Sequence, residues 1–361
     1  MRAAVFMDRL DIRIQEVPVP DPAPGELLVE VKAVGICGTD AHEYSTGPHM
    51  FPIHHAHSIT GHEGPMIPGH ELAGVVAAVG DGVVEFAVGD LVVSGAGISC
   101  GECHWCRRGS TNLCARYSTV GLQRDGGLAE FAAVPASACI AAGEYGLMPD
   151  AAALGQPMSI AVHSMRRGRL EPGDVAVLIG AGGIGAFLTY AASELGAMIV
   201  VSDLDARRLE VASSLGAAVT VDPSAGQSVA DVLDENDWVP TVIYEVSGTS
   251  AGLADACAIA ERGSRIVLVG LQAEQGQVDY RNLTLREIEL IGTNAHAIAA
   301  DMPEALRLLA SRDGGWGDVA PQALALEDLV DEGLMPLVER RSTRIKTLID
   351  PWAKTTRTTE T

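Results

Sequence analysis

The rhythm of apolar and polar positions changes near Pro172. Beyond it, short β-branched runs alternate with stretches whose apolar residues recur at helical spacing, as in a parallel sheet covered by helices. Residues 175–179 form one such run, which breaks into Gly180-Ala-Gly182-Gly183-Ile184-Gly185, and a helix is predicted from there to Leu195. The next run, 198–201, ends at Ser202-Asp203. Further strands are predicted over 241–246, 265–269 and 288–291, with a helix over 252–260. That order predicts a doubly wound parallel sheet from about Pro149 to about Ala297. In the N-terminal part, Pro18, Pro20, Pro22 and Pro24 argue against a continuous strand. Residues 354–361 are of low complexity and are expected to fray.

The glycine run occupies the context a dinucleotide site needs. Gly180 allows the tight turn, Gly182 lets backbone approach a pyrophosphate, and Gly185 lets helix and strand pack closely. The helix start at Gly183-Ile184 offers free N–H groups and the positive end of a dipole to phosphate. A lone glycine triplet is often only a loop, but here strand, glycines, helix, second strand and terminal acid fall in order. Asp203, 18 residues beyond Gly185, is placed to accept ribose hydroxyls and to repel a 2′-phosphate, favouring NAD over NADP. Arg207 and Arg208 could bind that phosphate, cap the helix or lie along an adenine. The turns Val269-Gly270-Leu271 and Thr293-Asn294-Ala295 follow strand ends and are candidate nicotinamide contacts, although plain connections would look the same.

Two sets of residues suggest metal. Cys100, Cys103, Cys106 and Cys114 lie within fifteen residues, spaced Cys-x2-Cys-x2-Cys-x7-Cys. Four thiolates so close can complete a tetrahedral shell around Zn²⁺, leaving no position for chemistry, so this zinc would be structural. Two disulfides or an iron–sulfur cluster are the other readings. The first is disfavoured because the opening MRAAVFMDRL has no secretory pattern, which points to a reducing, cytoplasmic setting. The second set is Cys37, in Gly35-Ile-Cys-Gly-Thr-Asp-Ala-His42, with His70 and Glu71 in Gly69-His-Glu. A thiolate, an imidazole and a carboxylate on separate elements could form a catalytic zinc shell with one open position. Singly, Cys37 and His70 would read as core residues. The string Gly61-His62-Glu63 is a decoy in a loop whose His49, His54, His55 and His57 are expected to be solvated.

Length and charge narrow the classes. The 361 residues allow two domains, and no apolar run reaches the ~18 residues of a membrane span. A net charge of −22 disfavours nucleic acid as a partner. Arginine supplies nearly all the basic charge; the lysines are Lys32, Lys346 and Lys354.

Cys37-Gly-Thr39-Asp-x-His42, Gly69-His70-Glu71, the four-cysteine lobe and the glycine turn together resemble the zinc-containing medium-chain alcohol and polyol dehydrogenases, over nearly the whole chain. Within them the chain is most similar to 2,3-butanediol and sorbitol-type enzymes. The resemblance implies an α/β protein. On that resemblance a mostly β, GroES-like catalytic domain carrying the zinc lobe is expected over 1–150 and 301–361, and an NAD-binding Rossmann domain over 151–300. It also implies two zinc ions per chain, one structural and one catalytic on Cys37 and His70, with Glu71 a nearby or alternating ligand. Where that group has a glutamate as third ligand, this chain has Gln156, which either ligates through its amide oxygen or caps a turn. Thr39 and His42 are implied as the proton route. The implied activity interconverts a secondary alcohol or vicinal diol with its ketone, using NAD and a homodimer or homotetramer. A sugar or polyol dehydrogenase is the alternative, and a non-catalytic zinc- and dinucleotide-binding protein the distant one.

Overall fold

The computed structural model describes residues 1–272 and 276–361. They form two compact units, Met1–Ser159 with His296–Thr361, and Ile160–Ala295.

The first unit opens with a hairpin of β1 (Arg2–Asp8) and β2 (Asp11–Glu16). The proline-rich segment follows outside any strand, as its lost N–H donors require. β3 (Glu26–Ile36) alternates buried and half-buried residues up to Ala33 and is then buried throughout, so its last turn of chain lies inside the unit. Next come α1 (Gly38–Thr46), β4 (Glu71–Val79), β5 (Leu91–Ser94), β6 (Gly97–Ile98), β7 (Ser118–Thr119), β8 (Phe131–Pro135) and β9 (Cys139–Ala141). The cysteine lobe is the excursion between β6 and β7. Two helices, α2 (Pro149–Ala153) and α3 (Gly155–Gly168), lead out of this part; α3 begins in the first unit and ends in the second.

In the second unit, β10 (Val175–Ile179) is followed by α4 (Gly183–Leu195), β11 (Met198–Ser202), α5 (Ala206–Ser214), β12 (Val219–Val221), β13 (Val242–Glu245), β14 (Arg265–Leu268) and β15 (Glu289–Gly292). All pair in parallel, in the order β12-β11-β10-β13-β14-β15. This is the doubly wound arrangement expected from the alternating runs. Val177, Leu178, Val200, Val201, Ile243 and Ile266 are fully buried, because helices cover both faces of such a sheet. Order reverses between β10 and β13, and ligands of open α/β sheets sit at the carboxyl edge of such a switch point. β12 was not anticipated: three residues are too few for a legible pattern.

The chain then returns to the first unit with β16 (Gln322–Ala325), β17 (Thr347–Asp350) and β18 (Arg357–Thr358). The main sheet runs β18-β16-β17-β3-β4-β5-β9, with β8 also on β3. Residues 354–361 are therefore not a frayed tail. β18 pairs antiparallel with β16, and Arg357 grips Asp150 at 2.6 and 2.9 Å and Asp350 at 2.7 Å. The Glu360 N–H donates to the same Asp150 at 2.8 Å. Composition misleads here because the anchoring carboxylate, Asp150, lies 207 residues back in the sequence. Among the described residues, no helix is long and apolar enough to cross a membrane.

Candidate functional site

Strand register brings the first group together. In β17 and β3, Thr347 lies opposite Ile36; in β3 and β4, Gly35 lies opposite Glu71. The residues just beyond these pairs, Lys346, Cys37 and His70, thus reach one end of the sheet with Glu71. Gly35 is required there, since a Cβ would fall 2.1 Å from Glu71 Oε2. Ligand atoms of Cys37, His70 and Glu71 lie within 4.8 Å of one another. The loop histidines do not join them: His49, His54 and His55 are exposed, and the His57 ring meets Thr60 Oγ1 at 3.1 Å.

Two further residues complete this cluster, and sequence reasoning gave neither a role. Asp40 occupies the third position of α1, whose N-cap is Cys37. Its Oδ2 accepts the Cys37 N–H at 2.8 Å, and its Oδ1 faces His70 Nδ1 at 3.7 Å, so one carboxylate anchors one candidate ligand and lies beside another. The Cys37-x-x-Asp40 spacing of a capping box was a usable signal. Lys346 had no such signal. Its Nζ donates to Glu71 Oε1 at 2.6 Å, and Lys346, Glu71, His70 and Asp40 are all more than nine-tenths buried.

The electrostatics call for positive charge. Burial opposes protonation of His70, but the carboxylate of Asp40 and the sulfur of Cys37 outweigh it and raise its pKa to about 9. Burial raises the carboxyl of Asp40 against the pull of His70. His70 Nδ1 and Asp40 Oδ1 have no hydrogen-bond partner, an expensive condition for buried polar atoms unless another group completes them. A thiol, an imidazole and a carboxylate of this arrangement fit a zinc ion.

Thr39 and His42 lie three apart on α1, on one helix face. Thr39 Oγ1 is 3.8 Å from Cys37 Sγ. His42 is exposed, its ring stacked on His49 with centroids 4.8 Å apart. Buried Glu43 holds the following loop by accepting the N–H groups of His49 and Met50 at 2.8 and 2.9 Å. Gln156 is buried in the first turn of α3, at a helix-to-helix junction rather than a strand-to-helix turn, and α2 just before it packs on β3 and β4.

The four lobe cysteines also converge within 4.8 Å, and Cys106 Sγ lies 3.5 Å from Cys103 Sγ and 4.0 Å from Cys100 Sγ. Tetrahedral sulfurs at a Zn–S distance of ~2.3 Å would stand ~3.8 Å apart, whereas a disulfide needs about 2.05 Å. Cys114 Sγ accepts the N–H groups of Cys100 and Arg116, each at 3.3 Å. Backbone N–H donation, from Glu102 first, pulls the Cys100 thiol down to about 6, toward the thiolate a metal needs.

In the second unit, Gly180 has φ +108° and a Cβ there would meet Ser247 N at 2.9 Å. A Cβ on Gly185 would fall 2.1 Å from Gly180 O, so α4 rests directly on the turn, while the space at Gly182 is open as far as Arg208 at 3.9 Å. Asp203 does more than the sequence suggests. Its Oδ2 accepts the Ala181 N–H at 2.7 Å and its Oδ1 the Asp205 N–H at 2.9 Å, bracing the glycine turn. Arg208 Nη1 stands 3.8 Å from Asp203, and its buried Nε has no partner. At the carboxyl edge, the N–H groups of Val269 and Gly270 both donate to Glu245 O, and a Cβ on Gly270 would lie 2.2 Å from Gly248 N. Thr293 is half-buried with an unpartnered hydroxyl, and Asn294 and Leu271 are exposed. Glu245, read from sequence only as a strand residue, is fully buried and accepts from Gly248 N–H at 3.1 Å and from the side chains of Ser247 and Gln272 at 2.5 Å, tying those loops together.

The chain is similar to known proteins along most of its length. Residues 23–144 match the alcohol dehydrogenase GroES-like domain, and residues 183–311 the zinc-binding dehydrogenase family. The chain is 32% identical over 320 residues to the sorbitol dehydrogenase of Bacillus subtilis (strain 168), covering 86% of each. It is 30% identical over 356 residues to the (R,R)-butanediol dehydrogenase of Neisseria gonorrhoeae (strain ATCC 700825 / FA 1090), covering 97% of this chain and 99% of that one. The crystal structure of 2R,3R-butanediol dehydrogenase from Bacillus subtilis superposes with a TM-score of 0.88 at 28% identity, over 97% of this chain and 99% of that one. With two family models matched and relatives at 30% identity or more covered over most of their length, the chain belongs to the zinc-containing medium-chain alcohol and polyol dehydrogenases.

Proposed function

We propose that this dehydrogenase oxidises a secondary alcohol flanked by a second hydroxyl, a 2,3-butanediol-like vicinal diol, to the hydroxyketone with NAD⁺, reversibly. The observation that carries the reading is the convergence of half-buried Cys37 with buried His70 and Glu71. A module that merely bound dinucleotide would need no such cluster. A polyol such as sorbitol presents the same carbinol next to a hydroxyl, and the 32% identity to a sorbitol dehydrogenase keeps it as the second reading.

In this reading Cys37 and His70 would hold the catalytic zinc with Gln156 as third ligand, and Glu71 is the carboxylate close beside them. Bound there, zinc supplies a Lewis acid for the substrate hydroxyl, and the nicotinamide supplies the hydride acceptor. Thr39, 3.8 Å from the Cys37 sulfur, takes the proton that the hydroxyl gives up. His42, exposed on the same face of α1, receives it by way of the cofactor ribose and delivers it to water. Gly180, Gly182, Gly183, Ile184 and Gly185 receive the pyrophosphate, Asp203 and Arg208 the adenosine end, and Val269, Gly270, Leu271, Thr293 and Asn294 the nicotinamide end. The enzyme is proposed to work in the cytoplasm as a homodimer or homotetramer.

A substrate panel of butanediol stereoisomers, sorbitol, glucose, threonine and simple secondary alcohols, run with NAD⁺ and NADP⁺, tests this reading. Highest kcat/KM for a butanediol with NAD⁺ supports it; a hexitol far ahead of every butanediol replaces it with the second reading.

Asp203→Ala is expected to lower the NAD⁺ to NADP⁺ ratio of kcat/KM about ten- to a hundredfold, the equivalent of the ~1.5–3 kcal/mol of a hydrogen bond to a charged group. KM should rise for both cofactors, because the Ala181 N–H loses its acceptor. An unchanged ratio would remove Asp203 from the ribose. For Gln156→Ala, selective loss of the catalytic zinc is expected, with the lobe zinc retained. Gln156→Glu should hold the metal better and raise the apparent pKa of kcat, since an added negative charge leaves the centre less acidifying. Metal analysis and pH–rate profiles like those of the wild type in both variants would make Gln156 a bystander.

A further inference from the structure

Glu71 has two claimants. One is the metal that its proximity to Cys37 and His70 invites; the other is Lys346, whose Nζ is 2.6 Å from Oε1 and also pairs with Oε2. Lys346 cannot readily withdraw. Its own N–H donates to Val319 O at 2.9 Å, the next residue starts β17, and that strand is zipped to β3. Across the register, Gly35 leaves a slot for the pair, since a Cβ there would stand 2.1 Å from Glu71 Oε2 and 3.1 Å from Lys346 Cε. A buried ammonium in a chain with three lysines is costly unless it is paired, so the slot is a built feature of the sheet end. Charge favours the same conclusion. A divalent ion together with Lys346 balances the Cys37 thiolate and the carboxylates of Asp40 and Glu71.

We propose that Lys346 is a positioning residue that holds Glu71 off the catalytic metal in the resting enzyme, keeping one position of the metal open for the substrate hydroxyl. This rests on the reading of Cys37 and His70 as metal ligands. Without the lysine, the stranded carboxylate finds its nearest cation in the metal, occupies the open position and holds the ion more tightly at the expense of turnover.

The test uses the full-length enzyme with Co²⁺ substituted at the catalytic site, and Lys346→Met, Glu71→Gln and the double variant. In Lys346→Met, release of the catalytic metal to a chelator should slow about tenfold or more, the scale on which groups around a metal's ligands tune affinity. The cobalt spectrum should shift as a carboxylate joins the shell. Glu71→Gln alone should leave the spectrum unchanged, because Glu71 is not bound while Lys346 is present; in the Lys346→Met background it should abolish both the shift and the slowed release. Release as fast as wild type in Lys346→Met, or a spectrum altered by Glu71→Gln alone, overturns the proposal. Should Lys346→Met fail to fold, the Glu71→Gln spectrum still decides. A wild-type protein holding only the lobe zinc would defeat the metal reading instead, a result distinct from either.

Discussion

Replacing His70 with alanine is expected to remove one zinc ion per chain and to lower kcat/KM by about 10³-fold or more. Losing several kcal/mol of Lewis-acid stabilisation accounts for that size, since roughly 4 kcal/mol corresponds to a factor of a thousand. The loss should be selective. His70 sits in the sheet-end cluster with Cys37 and Glu71, while the four lobe cysteines form a separate group. Zinc analysis should therefore fall from about two ions per chain to one, and the remaining ion should resist the chelator as it does in the wild type. The fold should persist, because Asp40 keeps the Cys37 N–H and β4 keeps its pairing with β3. A variant that keeps both ions and wild-type turnover would remove His70 from the metal shell.

Cys106→Ser should act on folding rather than on chemistry. The lobe between β6 and β7 has only short helical turns, around Cys106–Arg108 and Thr111–Leu113, and its glycines at 101 and 109 sit at positive φ. Trp105 and Leu113 are exposed. In zinc-finger peptides a structural zinc contributes about 10–16 kcal/mol, far more than so small an apolar core could supply. Limited proteolysis should show new cleavage between Cys100 and Cys114, together with loss of one zinc ion and a lower Tm. An uncleaved variant with two ions would mean that the lobe does not depend on metal.

Much of this was legible in the sequence wherever chemistry depends on short spacing. The glycine turn is written within six residues and the lobe within fifteen, and parallel strands buried on both faces read as continuous apolar runs. What escaped depends on residues far apart in the chain. Lys346 meets Glu71 across 275 positions, and Arg357 meets Asp150 across 207, so neither pair leaves a local trace. The second turned an apparently loose tail into an edge strand. Glu245 escaped for another reason: a buried carboxylate at a strand end looks like any strand boundary until the loops it joins are seen.

Zinc removal and return, followed by NADH formation from a butanediol, tests the central claim most directly. A strong chelator applied until the more labile ion is lost should abolish NAD⁺ reduction, and one equivalent of zinc should restore it. Undiminished turnover after that loss, or no turnover of any secondary alcohol or polyol by enzyme holding two zinc ions per chain, would contradict the assignment.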